Sequence, residues 1–386
     1  MTTIASPRQM MYAQIVSQPA LLLEVFETTE RAVQEAFARL QPQRWQAIYT
    51  AGCGDSFYAG LACEMAFARF CRLPVKALSA MQFARYEADR LSPQAVVFGI
   101  SNSGRVSRSI EAVHLARAAG AETIAITGNA SSGIAQAAAA AVAVPIPEMG
   151  RSPGIRSYTV QLLSLFLSAL HLGEVRQVIS AAEAQAWRQQ LREVAACMDA
   201  TIQANDAYAK HVAERFGGAE NWVFMGSGPS YATALFIAAK LVESCGANAW
   251  AQDIEEWAHI QFFNQQEQTP TCVIMPPGRS LDRALELLPY AKGIGRPTLA
   301  VASGTQSLSA EQADIILPVP QAVPEVFSPL VYCLAGELLA YYLAEVQGAE
   351  FFQATRTFRG SGDRLRGSHT LAHPEAFARL DDATAD

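Results

Sequence analysis

A run of hydroxyl and amide side chains beside two arginines, Ser101-Asn102-Ser103-Gly104-Arg105-Val106-Ser107-Arg108, has the chemistry of an anion site. The apolar run Val96 to Ile100 stops at it, and apolar residues at helical spacing follow (Ile110, Val113), which reads as strand, tight turn and helix start. The first N–H groups of a helix have no partner within it and lie at the positive end of its dipole, so a dianion such as a phosphate monoester fits. No acidic residue lies between Val96 and Arg108, and Arg105 and Arg108 add two cations. The alternative is a serine-rich helix cap with no ligand. A second set of polar residues stands in apolar surroundings: Lys240 and Glu243, then Glu255, Glu256 and His259. Lys240 and Glu243 lie three apart, as do Glu256 and His259, so each pair shares a helix face. Each is either a set of proton-transfer groups or a surface ion pair and a satisfied core histidine.

The elements that must position these residues follow from periodicity. Helical spacing from Met10 to Leu40, interrupted at Gln18-Pro19, predicts two N-terminal helices. Strands are expected at 47–51, 75–79, 95–100, 122–127 and 141–145, with helices at 57–70, 81–86 and 107–119 between them. Nearly unbroken apolar strands alternating with helices imply a parallel sheet covered on both faces. Past Gly154 to Thr159 a long apolar helix runs to about Leu172, and a polar, helix-rich connector extends to Phe216. The junction Gly52-x-Gly54-x-Ser56-Phe57 then recurs as Gly226-x-Gly228-x-Ser230-Tyr231, about 174 positions downstream, and Gly295 to Ala302 echoes Gly120 to Thr127. Two echoes at nearly one offset indicate an internal duplication. The second counterpart of the serine loop is Met275-Pro276-Pro277-Gly278-Arg279, where prolines remove backbone donors, so one phosphate loop per chain is expected.

At 386 residues, 51% of them apolar, the chain has material for two domains. A net charge of −7, with no basic cluster beyond Arg356 to Arg366, argues against nucleic acid. Seven scattered cysteines without metal-ligand spacing suggest reduced thiols in a cytoplasmic protein with no metal. Neither a leader nor a membrane span is expected.

These motifs, in this order, resemble sugar isomerase (SIS) domains, and over roughly residues 10–361 the isomerase part of the glutamine:fructose-6-phosphate amidotransferases and related phosphosugar deglycases and deaminases. Met11-x-x-Gln14-Ile15-x-x-Gln18-Pro19 is similar to the family's lead-in, Cys53-Gly54-Asp55-Ser56 to its first sugar-phosphate turn, and Ser101-Asn102-Ser103-Gly104 to its phosphate loop. Ala239-Lys240-Leu241-Val242-Glu243 is similar to the segment carrying its lysine and proton-shuttling glutamate, and Glu256-x-x-His259 to that carrying its ring-opening histidine. Ser328-Pro329 and the helix to Gln347-Gly348 resemble its last helix.

The resemblance implies an α/β fold of two tandem SIS domains, each a parallel sheet flanked by helices. It divides the chain into a lead-in (1–45), a first SIS domain (46–175), a connector (176–216), a second SIS domain (217–350) and a tail (351–386). It implies Glu243, His259 and Lys240 as catalytic, and Cys53, Gly54, Asp55, Ser56, Ser101, Asn102, Ser103, Ser107, Arg156 and Glu256 as substrate-binding. It further implies a sugar phosphate as partner, no cofactor, and a homodimer with shared sites. The expected function is a phosphosugar isomerase, deaminase or deglycase acting on a 6-phosphate amino sugar or fructosamine. A strict aldose–ketose isomerase and a non-catalytic sugar-phosphate sensor are the alternatives.

Departures from the family pattern are specific. Val106 replaces its phosphate-binding threonine, with Ser107 as the substitute, and Arg156 stands for a lysine. No lysine follows Lys292, and Arg356 and Arg359 stand where the family carries one. Arginine stays protonated and forms no imine with a ketose, which sets chemistry needing that amine aside. Because the sequence opens on the lead-in, no glutamine-hydrolysing domain is expected.

Overall fold

The structure, a computed structural model, describes residues 7–264, 267–304, 308–309, 311–353 and 370–371. Arg356 and Arg359, and with them most of the tail, lie outside the described residues. In chain order the first elements are α1 (Pro7–Phe37), β1 (Ala47–Gly52), α2 (Asp55–Cys71), β2 (Val75–Ser79), α3 (Ala80–Tyr86), β3 (Ala95–Ile100), α4 (Ser107–Ala118), β4 (Glu122–Thr127), α5 (Gly133–Ala137) and β5 (Ala140–Ala143). Then come α6 (Arg156–Val175), α7 (Ala181–Phe216), β6 (Asn221–Gly226), α8 (Pro229–Cys245), β7 (Asn248–Asp253), α9 (Ile254–His259) and β8 (Thr271–Met275). The last are α10 (Leu281–Gly293), β9 (Thr298–Ser303), β10 (Ile315–Val319), α11 (Pro329–Tyr332) and α12 (Leu334–Val346).

Two compact units form from non-contiguous pieces. Among the described residues one holds 24–147, 160–189 and 370–371, with the first sheet, and the other holds 7–23, 148–159 and 190–353, with the second. Each sheet is parallel and five-stranded, in the orders β2-β1-β3-β4-β5 and β10-β9-β8-β6-β7, which are the same order read from opposite edges. In the first sheet every residue of β3 is buried, as a central strand covered by helices must be. Ala51, Phe83, Val97, Leu115 and Ala116 form part of its core, and Val223, Trp257, Val273, Leu288 and Ala300 part of that of the second.

The repeated Gly-x-Gly-x-Ser junction has one geometry in both sheets. Gly54 and Gly228, the residues before α2 and α8, adopt φ/ψ of 55/−128° and 56/−129°, a conformation open to glycine. A Cβ on Gly52 would lie 2.7 Å from the Ser56 backbone, and one on Gly226 2.3 Å from Ser230 O, because each helix starts by folding back over its strand end.

The expected break at Gln18-Pro19 does not occur: α1 is one 31-residue helix with Pro19 inside it. A proline takes away the N–H that would reach the carbonyl four residues back, and here Gln18 Nε2 donates to that carbonyl, Ile15 O, at 3.3 Å. Gln18 Nε2 also donates to Glu337 at 2.5 Å, and Thr159 donates to Gln18 Oε1. All seven cysteines are free. Arg156–Val175 and Pro329–Val346 are long and apolar enough to cross a membrane, yet 83% and 78% of their apolar windows are buried, as in core helices.

Candidate active site

The strand order of the first sheet reverses between β1 and β3, which pair in register from Ala47↔Ala95 to Ala51↔Gly99. In a doubly wound sheet the loops beyond the carboxyl ends of two such strands part and leave a crevice. The loops that leave these strands are Cys53 to Ser56 and Ser101 to Val106, so the sequence-derived sugar turn and phosphate loop flank one crevice.

Around that crevice Asp55 and Ser56 open α2, and Ser107 opens α4, whose N-cap, Val106, offers no capping side chain. Ser101 is 2% exposed, and its Oγ has no hydrogen-bond partner among the described residues. Buried hydroxyls are satisfied as a rule, and this one is free to donate to an acceptor in the crevice. Asn102 and Ser103 are exposed. Gln161 Nε2 donates to Ser56 Oγ at 3.1 Å, which leaves the Ser56 proton to be donated, while Gln161 Oε1 is itself buried without a partner. Burial pushes the half-exposed Cys53 thiol up, against the lowering influence of Arg108.

Arg108 is not the free cation that the sequence implied. Its Nη1 lies 2.6 Å from Glu111, whose carboxylate is fully buried and is also held by Arg85 at 2.9 Å, and its Nη2 donates to Thr370 Oγ1 at 2.6 Å. Helical spacing brings Glu111 one turn down from Arg108, just beyond the acid-free stretch. Arg105 is exposed.

The other sequence-derived residues lie in the unit with the second sheet. Arg156 opens α6 and is buried. On α8, Lys240 is 0% exposed, its Nζ 2.6 Å from Glu243 Oε2 and 4.9 Å from the centre of the Phe236 ring, while the Glu243 side chain is 33% exposed. This is neither a surface pair nor an enclosed one. His259, the last residue of α9, is 70% exposed, and its Nε2 lies 3.4 Å from Glu255 rather than beside Glu256, which is exposed. Arg283 also binds Glu255, and its hydrogen bonds hold that carboxyl below the usual range. His259 is thus no core histidine. Among the described residues no three His, Cys, Asp or Glu side chains group to hold a metal ion.

The second sheet has the same reversal, between β6 and β8, but its loop is occupied from within. The Glu325 carboxylate lies where a Gly278 Cβ would be, and Arg279 N donates to Glu325 Oε1 at 3.1 Å. Where the first loop presents serines, the second is filled by an internal anion.

The paired sheets, strand order and crevice define a doubly wound α/β protein of two SIS-like domains in tandem. The chain matches the SIS domain family over residues 43–171. It is 26% identical over 311 residues to a glutamine–fructose-6-phosphate aminotransferase (isomerizing) of Gloeobacter violaceus, covering 80% of this chain and 50% of the relative. To the protein of that name from Zymomonas mobilis it is 25% identical over 353 residues, covering 90% and 57%. The chain spans about half the length of these relatives. Among solved structures, the C-terminal domain of glucosamine-fructose-6-phosphate aminotransferase from Francisella tularensis aligns with a TM-score of 0.78 at 18% identity, covering 89% of this chain and 97% of that one. Glucosamine-6-phosphate deaminase from Thermotoga maritima aligns at 0.70 and 18% identity, covering 88% and 96%. At that identity the structures speak for the fold.

Proposed function

We propose that the chain is a sugar-phosphate enzyme that isomerises, deaminates or deglycates a 6-phosphate amino sugar or fructosamine, with the phosphate held on the loop after β3. The observation that carries this reading is the buried, unpartnered Ser101 hydroxyl at the reversal between β1 and β3. A phosphate oxygen there accepts from Ser101, while Asn102, Ser103, Ser107 and the start of α4 supply further donors. Cys53, Gly54, Asp55, Ser56, Arg156 and Glu256 complete substrate binding.

In this reading His259 moves the ring-oxygen proton as the sugar opens, a task suited to an imidazole because its ring nitrogens can both give and take a proton. Glu243 takes the proton from the carbon beside the carbonyl or imine and returns it to the neighbouring carbon, and the Lys240 ammonium stabilises the enolate that forms between these steps. The similarity to fructose-6-phosphate aminotransferases and to a glucosamine-6-phosphate deaminase favours nitrogen chemistry over strict isomerisation. The exposure of His259 supports a homodimer in which that residue serves a second copy, and the free cysteines fit a cytoplasmic setting.

The test is turnover by purified protein on a panel of 6-phosphorylated amino sugars and glycated amino acids. Release of ammonia or amino acid with aldose–ketose conversion is expected, together with a loss of affinity in Ser101→Ala. Conversion of fructose 6-phosphate without nitrogen release would leave a strict isomerase. Tight binding of every member without turnover would leave a sensor.

A further inference from the structure

We propose that Arg296 is a positioning residue for His259, clamping from inside the turn on which the imidazole stands; the inference rests on the reading of His259 as the ring-opening group. Arg296 is 1% exposed, and among the described residues no carboxylate lies within ion-pair distance of it. A buried charge without a counter-charge is costly, so its neutral partners matter. Nη2 donates to Gln261 O and Asn264 O at 2.9 Å each and to Gln261 Oε1 at 3.4 Å, and Nη1 donates to Thr271 Oγ1 at 3.3 Å. The guanidinium carbon lies 5.9 Å from the centre of the Trp257 ring. Burial pulls the pKa of Arg296 down, as it does for a cation kept from water.

All of these partners except Thr271, the first residue of β8, belong to or adjoin the segment of His259. Trp257 lies two residues before it on α9, and Gln261 and Asn264 lie just after it, in the turn where Gln261 O also accepts from Asn264 N at 3.1 Å. The negative end of the helix dipole makes that turn a natural seat for a cation. Little else pins the outer side of the segment, since Ile260 is 54% and Phe263 78% exposed. The His259 side chain is mostly in solvent, with Glu255 at 3.4 Å beside its Nε2, so its place depends on the backbone beneath both residues.

The fold does not need an arginine there. Arg296 N donates to Ala291 O after Gly295 at φ +84°, and in the first sheet Ala121 N donates to Ala116 O after Gly120, also at φ +84°. One backbone geometry thus carries alanine in the first sheet and a buried guanidinium in the second, beside His259. The substitution serves the segment and not the strand.

The test uses Arg296→Met and, should that variant fold poorly, Arg296→Lys, which keeps the charge but cannot span both carbonyls. The imidazole signals of the six histidines are followed by NMR, with His259 assigned by its loss in His259→Gln. Turnover is measured on the sugar phosphate that the wild type converts best. In Arg296→Met we expect the His259 signal to shift or broaden while the other five hold, kcat to fall on the order of 100-fold with KM for the phosphate ester little changed, and Arg296→Lys to recover part of kcat. An unaltered His259 signal with wild-type kcat overturns the proposal. So does a common change in all six signals, which would mark a fold-wide role. If the wild type converts no sugar phosphate, the functional reading fails, and the His259 signal alone decides whether Arg296 positions it.

Discussion

Replacing Glu243 by Gln removes a base and a counter-charge in one step, and the structure separates the two costs. Lys240 is fully buried 2.6 Å from a carboxylate that is 33% exposed. Stranding a buried charge by deleting its partner costs about 3–5 kcal/mol when both groups are enclosed. One third of this carboxylate is in water, and the Phe236 ring still attracts the ammonium at 4.9 Å, so a loss of ~1–3 kcal/mol is expected. The catalytic cost is independent of that, roughly 100- to 10,000-fold in turnover, or about 3–5 kcal/mol on the barrier. Urea unfolding and turnover on the converted sugar phosphate would be measured for Glu243→Gln, Lys240→Met and the double variant. The double variant removes the buried ammonium together with its carboxylate, so it should regain about 1 kcal/mol over Glu243→Gln while turnover stays low. Turnover in Glu243→Gln within about threefold of wild type would refute the base assignment and move it to Glu255 or Glu256. Unchanged stability would refute the argument from the buried pair.

Ser101→Ala deletes a hydroxyl that has no protein partner, so thermal melts should show stability unchanged or raised by up to ~1 kcal/mol, while calorimetric titration shows weaker binding of a phosphate monoester; a clear loss of stability would mean that the hydroxyl is satisfied within the protein. Gly52→Ala and Gly226→Ala force a Cβ into helix backbone and should each destabilise by about 1–3 kcal/mol, Gly226→Ala more because its contact is closer, as denaturant midpoints would report. A raised thiol pKa leaves less thiolate at neutral pH, so iodoacetamide should alkylate Cys53 more slowly than free glutathione at pH 7, the gap closing as pH rises; faster labelling would contradict a thiol held up by burial.

The strand–turn–helix junctions were readable from the sequence because each is local: an apolar run, a glycine that the backbone demands, and a serine at the helix start lie within ten residues. The same locality made the second loop legible as a different thing, since Pro276 and Pro277 remove donors wherever the loop is placed. What escaped depended on partners far along the chain. Pro19 reads as a break, and nothing near it announces that the adjacent Gln18 side chain caps the freed carbonyl. Arg108 reads as a cation for a ligand until Glu111 is brought beneath it and Arg85 arrives from another helix. The edge strand β7, Asn248–Asp253, is too polar for an apolar-run criterion, and β10 carries Pro318, which an edge tolerates. Neither Glu325 nor Arg296 has any periodicity to betray it. Each is seen only when the residues it serves, at Gly278 and at Gln261, have been folded against it.

The side chain of Gln18 also sets an order of events during synthesis. It is joined to Thr159 and Glu337, 141 and 319 residues further along, so it leaves the ribosome well before either of them. At translation rates of 5–20 residues per second, the partner at 337 emerges roughly 15–60 s later. Through that interval Met11, Ile15, Leu21 and Leu22, all at most 1% exposed in the finished protein, lack the surface that will cover them. A nascent chain with such a waiting helix is a client for chaperones that hold apolar segments, and slowing synthesis between Thr159 and Glu337 should lower the yield of soluble protein more than slowing it after residue 350.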